Sequence, residues 1–219
     1  MGCTARGENA FCNLPQPELG ELERLSFTVG YPDQTILFSE AEPCRGVFVV
    51  CSGKVKLSTC GQDGKELMLR AAVPGDILGL SEVLSGSGYE VSARTLAPSY
   101  IRFIKREEFL NFLRLSTVSA FQAMLALSRE YDTIFESLRS IALSHTATSR
   151  IAQLLLRMGA PGATNIRMLL TQEQIAQMTG TTRETVTRFL TQMRRDRVIA
   201  LRGSNLHIID RGALERIAV

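Results

Sequence analysis

An α+β fold in three consecutive parts is predicted by three observations on this chain of 219 residues. Short runs of β-branched and aromatic residues, cut by Gly and Pro turns, fill the first half. A stretch without Gly or Pro follows, with apolar residues at helical spacing. The last third carries two short helices around a tight turn, then an apolar hairpin.

Residues 1–24 read as an N-terminal segment, and 25–104 as β. The runs are Thr35–Phe38, Val47–Cys51, Lys54–Thr59, Glu66–Ala72, Ile77–Leu80, Tyr89–Thr95 and Tyr100–Ile104. Between them lie Ser52-Gly53, Gly61-Gln62-Asp63-Gly64, Pro74-Gly75-Asp76, Ser85-Gly86-Ser87-Gly88 and Ala97-Pro98. Such regular spacing predicts a sandwich or small barrel.

Residues 105–143 read as one long helix. Phe121, Met124, Ser128, Tyr131, Phe135, Leu138 and Ala142 repeat at 3, 4, 3, 4, 3, 4. That is a heptad seam, which points to a parallel homodimer. Packing of the helix on its own β domain is the alternative, and Ser128 and Ala142 are weak seam residues.

Residues 144–219 form the last part. Ile151, Leu154, Leu155 and Met158 mark one amphipathic helix, and Gly159-Ala160-Pro161-Gly162 a loop. Two helix starts then follow: Thr171 stands three residues before Gln174, and Thr181 three before Glu184. Each is a capping-box pattern. Gly180 can take the positive φ that ends the first helix. The first helix offers Ile175, Ala176 and Met178 to a shared core.

The second helix sorts its residues by face. At about 100° per residue, Val186, Phe189, Leu190 and Met193 fall on one stripe. Arg183, Glu184, Thr187, Arg188 and Thr191 fall on the other. A helix pair whose second member leaves such a polar face open suits the major groove of double-stranded DNA. Glu184 and Arg188 also stand i, i+4 and could form only a surface ion pair, or Glu184 could serve only as a cap. Val198–Leu201 and Leu206–Ile209 flank Arg202-Gly203-Ser204-Asn205, a hairpin that can touch phosphates as a wing.

Charge separates the same parts. From Leu143 to Val219 there are 11 arginines, no lysine and five acids, a net +6. The remainder carries 14 basic and 17 acidic residues, a net −3. A polyanion partner for the back end follows. Composition is ordinary for a soluble protein, at 45% hydrophobic and 21% charged. Apolar runs are strand-sized and no apolar signal core opens the chain, so a cytoplasmic protein with no membrane partner is expected. There is no nucleophile–base set, no phosphate-cradling glycine loop before a helix and no metal spacing, which argues against an enzyme. A ligand-binding module acting on a protein partner would explain the β domain but not the helix pair or the basic third.

PGDILG in a glycine-punctuated β domain, a dimer helix, TxxxIAxxxG, RETVTRFL and a wing together resemble the CRP/FNR family of bacterial transcription regulators. The resemblance spans about Leu14 to Ala218. It implies a β-roll of cyclic-nucleotide-binding type, a long dimerisation helix and a C-terminal winged helix-turn-helix. It further implies a homodimer on a palindromic operator, with RNA polymerase as a further partner. Arg183 and Arg188 match guanine-reading arginines, and Glu184 the glutamate that accepts from cytosine. A guanidinium fork is bidentate to guanine, and a carboxylate can only accept. Thr171, Gln172, Thr182, Arg202 and Ser204 match positions near phosphates. The half-site implied is of the TGTGA or TTGAT kind, with Thr187 where relatives have Ser or Gly.

The resemblance also bears on the signal. Nucleotide-binding members carry a glutamate after the glycine of the PGDxxG turn and an Arg-Ser pair further on. Here those positions are Leu80, Glu90 and Val91, and a carboxylate in place of the arginine repels a phosphate. Cyclic AMP is therefore not the expected ligand, and GLSEVLSGSG is closer to the redox- and oxygen-sensing branch. Five cysteines are present: Cys3, Cys12, Cys44, Cys51 and Cys60. An odd count argues against a disulfide framework. The resemblance leaves an iron–sulfur cluster open, on Cys3, Cys12 and two others, although the internal ligand position is Arg102 and four thiolates are the usual requirement. A thiol switch, or buried and idle cysteines, are the alternatives. His145 lies at the hinge between dimer helix and DNA head, and neither it nor His207 forms a metal spacing.

Overall fold

The computed structural model describes residues 10–143, 146–158, 162–168, 170–203 and 205–218. Its elements, in chain order, begin with α1 (Gln16–Arg24), β1 (Ser26–Tyr31), β2 (Ile36–Phe38), β3 (Gly46–Ser52), β4 (Val55–Cys60) and β5 (Glu66–Ala72). Then come β6 (Ile77–Leu78), α2 (Leu80–Ser85), β7 (Ser92–Thr95), β8 (Ser99–Lys105), α3 (Arg106–Leu115) and α4 (Thr117–Leu143). The C-terminal part holds α5 (Ala147–Arg157), β9 (Asn165–Arg167), α6 (Gln172–Met178), α7 (Arg183–Arg195), β10 (Ile199–Arg202), β11 (Asn205–Ile208) and α8 (Arg211–Ala218). The α+β class and its order of β-roll, long helix and winged helix pair are as expected. The chain divides into two compact units, Met1–Cys60 with Leu69–Ile134, and Gly61–Met68 with Phe135–Val219.

The roll is made of two four-stranded sheets, ordered β1-β8-β3-β6 and β2-β7-β4-β5. Period-2 alternation lets the first sheet serve two cores at once. Ile101 and Phe103 of β8 turn to the core between the sheets, with Phe38, Phe48, Val50, Leu57 and Tyr89. Ile104 turns to the opposite side, where Phe11, Leu19, Leu22 and Phe109 cover the sheet. At the first core's centre the Tyr89 ring stacks on Phe38 at 4.0 Å, and its hydroxyl donates to the Gly46 carbonyl at 2.9 Å.

Several sequence expectations are corrected. The long helix is two helices, whose axes turn through 117° at Ser116. Ser116 adopts extended backbone, and its hydroxyl accepts from the Ser119 amide at 3.2 Å, capping α4. A helix can thus break without Gly or Pro where a good N-cap is available. The run Ile77–Leu80 stops as a strand at Leu78. Gly79, at φ 76°, turns the chain into α2, and without a Cβ it clears the Gly46 carbonyl and the Tyr89 ring. Only Ser92–Thr95 of the run from Tyr89 pairs as a strand. Helices α1 and α8 and strands β1 and β9 were not foreseen.

In the second unit α5, α6, α7 and the three-stranded sheet β10-β11-β9 enclose one core. Ile151, Leu155, Ile175, Val186 and Leu206 are fully buried there. The Thr146 hydroxyl caps α5 by accepting from Ser149 N. Helix α8 docks on α5 through its last carbonyl, which accepts from Ser149 Oγ at 3.0 Å and Gln153 Nε2 at 2.7 Å. Among the described residues no single helix is long and apolar enough to cross a membrane.

Phe109 is wholly buried between Phe11 and Phe112 beneath the first sheet. Phe109→Ala should lower unfolding free energy by about 3–5 kcal/mol in a denaturant titration. A loss under about 1 kcal/mol would show that this layer does not hold the roll together.

Candidate nucleic-acid interface

Helix α7 is built by an apolar stripe and a cap. Val186, Phe189, Leu190 and Met193 are all buried, as their spacing predicts. Burial of these four fixes the rotation of the helix and so aims its other face outward. The cap differs by one residue from the expectation: Thr182, not Thr181, accepts from the Thr185 amide, at 3.3 Å. The box on α6 is as expected. The Thr171 hydroxyl accepts from Gln174 N at 3.2 Å, and Gln174 Oε1 accepts from Thr171 N at 2.9 Å.

The outward face carries Arg183, Glu184, Thr187 and Arg188, all exposed. Among the described residues no ion pair joins Glu184 to Arg188, and neither arginine's guanidinium has a hydrogen-bond partner. The surface-pair alternative is therefore not realised. Two cationic forks stand free on one helix face, each able to give two parallel N–H bonds to one acceptor pair. The Glu184 carboxyl is held below the ordinary carboxylate range by its own backbone N–H, then by the Thr182 hydroxyl and nearby Arg183. It is an acceptor only at neutral pH.

Thr187 is tied differently. Its hydroxyl lies 2.6 Å from Gln172 Oε1 and 2.9 Å from the Arg183 carbonyl, both acceptors. The structure thus joins Gln172, expected near phosphate, to Thr187, expected at a base edge. This link across 15 residues holds α6 and α7 together at the surface. Thr171 and Thr182, the two N-caps, are exposed at the starts of the two helices, and Arg202 is exposed at the end of β10 beside Gly203, at φ 58°. Ser204 lies outside the described residues.

Along α4, Phe121, Met124, Tyr131, Phe135 and Leu138 are between 47% and 67% exposed, and Ser128 is exposed as well. Ala142's side chain lies outside the described residues. Five large apolar side chains on one seam stay exposed while Ala123 of the same helix is buried against the roll, and they form an unusually long apolar stripe.

In the roll, Leu80 is buried, Glu90 exposed and Val91 half-buried. Sequence reading missed Glu82, a buried acid whose carboxylate accepts from Glu90 N at 3.2 Å. Nearby, Arg70 pairs with Asp76 at 2.7 Å and Glu130 at 3.8 Å, and burial pushes the Glu130 carboxyl up. Arg102 is buried and paired with Glu23 at 3.4 Å. A guanidinium offers a metal no lone pair. Cys12 is buried, Cys44 and Cys51 are half-buried and Cys60 is exposed. Among the described residues no three Cys, His, Asp or Glu side chains converge as metal ligands, so those residues do not fit a cluster. Cys3 and His145 lie outside the described residues.

Comparison with known proteins agrees with both halves. Residues 28–116 match the cyclic nucleotide-binding domain, and 149–217 the Crp-like helix-turn-helix domain. A CRP-like cAMP-activated global transcriptional regulator of Mycobacterium tuberculosis is 27% identical over 195 residues, covering 87% of each chain. The transcriptional activator protein anr of Pseudomonas aeruginosa is 27% identical over 180 residues, 80% of this chain and 73% of its own. Among solved structures, FixK2 from Bradyrhizobium japonicum superposes with a TM-score of 0.76 at 22% identity, covering 89% of this chain and 98% of that one.

Replacing either cap should loosen the helix pair. Thr171→Ala and Thr182→Ala should each cost about 1 kcal/mol in thermal unfolding. No change in either would mean that the first-turn amides find equivalent partners in water.

Proposed function

The chain belongs to the CRP/FNR family of transcription regulators, and from that premise we propose that it is a homodimeric, sequence-specific DNA-binding regulator. The observation that carries this reading is the exposed face of α7, where Arg183 and Arg188 are unengaged and Glu184 is ionised. Each arginine reads a guanine through O6 and N7, and Glu184 accepts from a cytosine amino group. Thr171, Gln172, Thr182 and Arg202 set the register on the phosphates. The half-site is of the TGTGA or TTGAT kind, and the net +6 of the last 77 residues supplies sequence-independent attraction.

A second copy joins through the α4 seam. Two recognition helices then meet two half-sites of a palindrome, about 34 Å apart. The relatives' activator roles make RNA polymerase the further partner, and the place of action is the cytoplasm. The signal enters through the roll. Acids at Glu82 and Glu90, with Leu80 where a glutamate would take the ribose, disfavour a cyclic phosphate. Cyclic AMP is therefore not the effector of this chain.

Two measurements test the reading. In gel-shift titrations, Arg183→Ala and Arg188→Ala should each weaken specific binding by about 1–3 kcal/mol and relax preference at one base pair. An equal loss on every DNA sequence would assign both arginines to phosphate instead. In sedimentation equilibrium the wild type should run as a dimer and Leu138→Glu should shift it toward monomer. An unchanged dimer would place the interface elsewhere.

A further inference from the structure

Thr187 lies on the exposed face of α7, one turn after Arg183 and next to Arg188. Its hydroxyl has one proton and two acceptors within reach, Gln172 Oε1 at 2.6 Å and the Arg183 carbonyl at 2.9 Å. A helical threonine often bonds the carbonyl four residues back, and Thr191 does so, donating to the Thr187 carbonyl at 2.8 Å. The second acceptor sets Thr187 apart. A separation of 2.6 Å suits O–H···O and is short for N–H···O, so Gln172 meets Thr187 with its oxygen and not with its amide nitrogen. Whichever acceptor holds the proton, the proton stays inside the protein.

Toward the groove, the Thr187 side chain therefore offers a lone pair and a methyl group, and no donor. A threonine in a helix otherwise divides between two χ1 rotamers, and the bond to Gln172 holds one of them. The four bases differ in what they present to such a group in the major groove. Adenine N6 and cytosine N4 donate to a lone pair, and the thymine methyl packs against the threonine methyl. Guanine presents only N7 and O6, both acceptors, and acceptors placed face to face repel. The amide nitrogen of Gln172, whose orientation the same bond fixes, has no hydrogen-bond partner among the described residues and stays available to a phosphate oxygen.

We propose that Gln172 is a positioning residue for base reading: by accepting the Thr187 proton it turns that hydroxyl into an acceptor toward the groove and excludes guanine from the base that Thr187 faces. One residue of α6 thereby ties the register on the phosphates to the choice of a base by α7. This role presupposes the DNA-binding reading, and it adds a base preference that Arg183, Glu184 and Arg188 do not set.

Fluorescence-anisotropy titrations of the full chain test this on a palindromic duplex selected from a random pool and on its single-pair variants, substituted alike in both halves. Thr187→Ala should alter preference at one position, which marks the pair that Thr187 faces. There the wild type should bind the guanine duplex about tenfold more weakly than the best of the other three. Gln172→Ala, checked for folding by circular dichroism, should cut this ratio to about threefold or less, with preferences at the pairs read by Arg183 and Arg188 unchanged. Gln172→Glu still accepts a proton, so it should keep the ratio while its charge weakens all four duplexes. A wild type that tolerates guanine there, no position altered by Thr187→Ala, or a ratio lost in Gln172→Glu would overturn the proposal and leave the DNA-binding reading standing. So would an equal loss on all four duplexes in Gln172→Ala, since that would make Gln172 a phosphate contact only. A wild type that binds a scrambled duplex as tightly as the selected one would overturn both.

Discussion

Burial of one stripe on α7 is the constraint from which the rest of the DNA-binding unit follows. Val186, Phe189, Leu190 and Met193 leave water together in one core of α5, α6, α7 and the small sheet. A rotation of the helix would expose this stripe and bury charged arginines, which costs far more than any surface pair returns. The polar face is therefore presented as a rigid array, not as a set of independent side chains. The Thr187–Gln172 hydrogen bond adds a lock at the surface, where the core cannot reach.

The roll obeys a related logic with a different outcome. Its first sheet is covered on both faces, one by the facing sheet and one by α1, α3 and the segment around Phe11. Such a sheet leaves few places for a signal to enter. The charged cluster of Arg70, Asp76 and Glu130 against α4 is one.

What was legible in the sequence follows from range. The α7 stripe, the Thr171 cap and the wing are local patterns of period 3.6 or 2, and they appear where expected. Ser116 is a good N-cap residue, but its role depends on α4 turning away from α3, which no local pattern announces. The six residues of α2 are too few to show a helical period. Strand β1 does carry a period-2 signal, Phe27, Val29 and Tyr31, but on a short run whose apolar face stays largely exposed. Which acid of Glu82 and Glu90 is buried depends on the turn at Gly79. The pairing of Thr187 with Gln172 joins two residues that were assigned separate tasks.

If the chain acts as proposed, two copies of the α7 face read two halves of one site. Selection of bound duplexes from a random DNA pool, followed by sequencing, tests it most directly. A two-fold palindrome with G·C pairs in each half-site and centres about one helical turn apart is expected. A single unpaired motif, or enrichment without sequence preference, would contradict it.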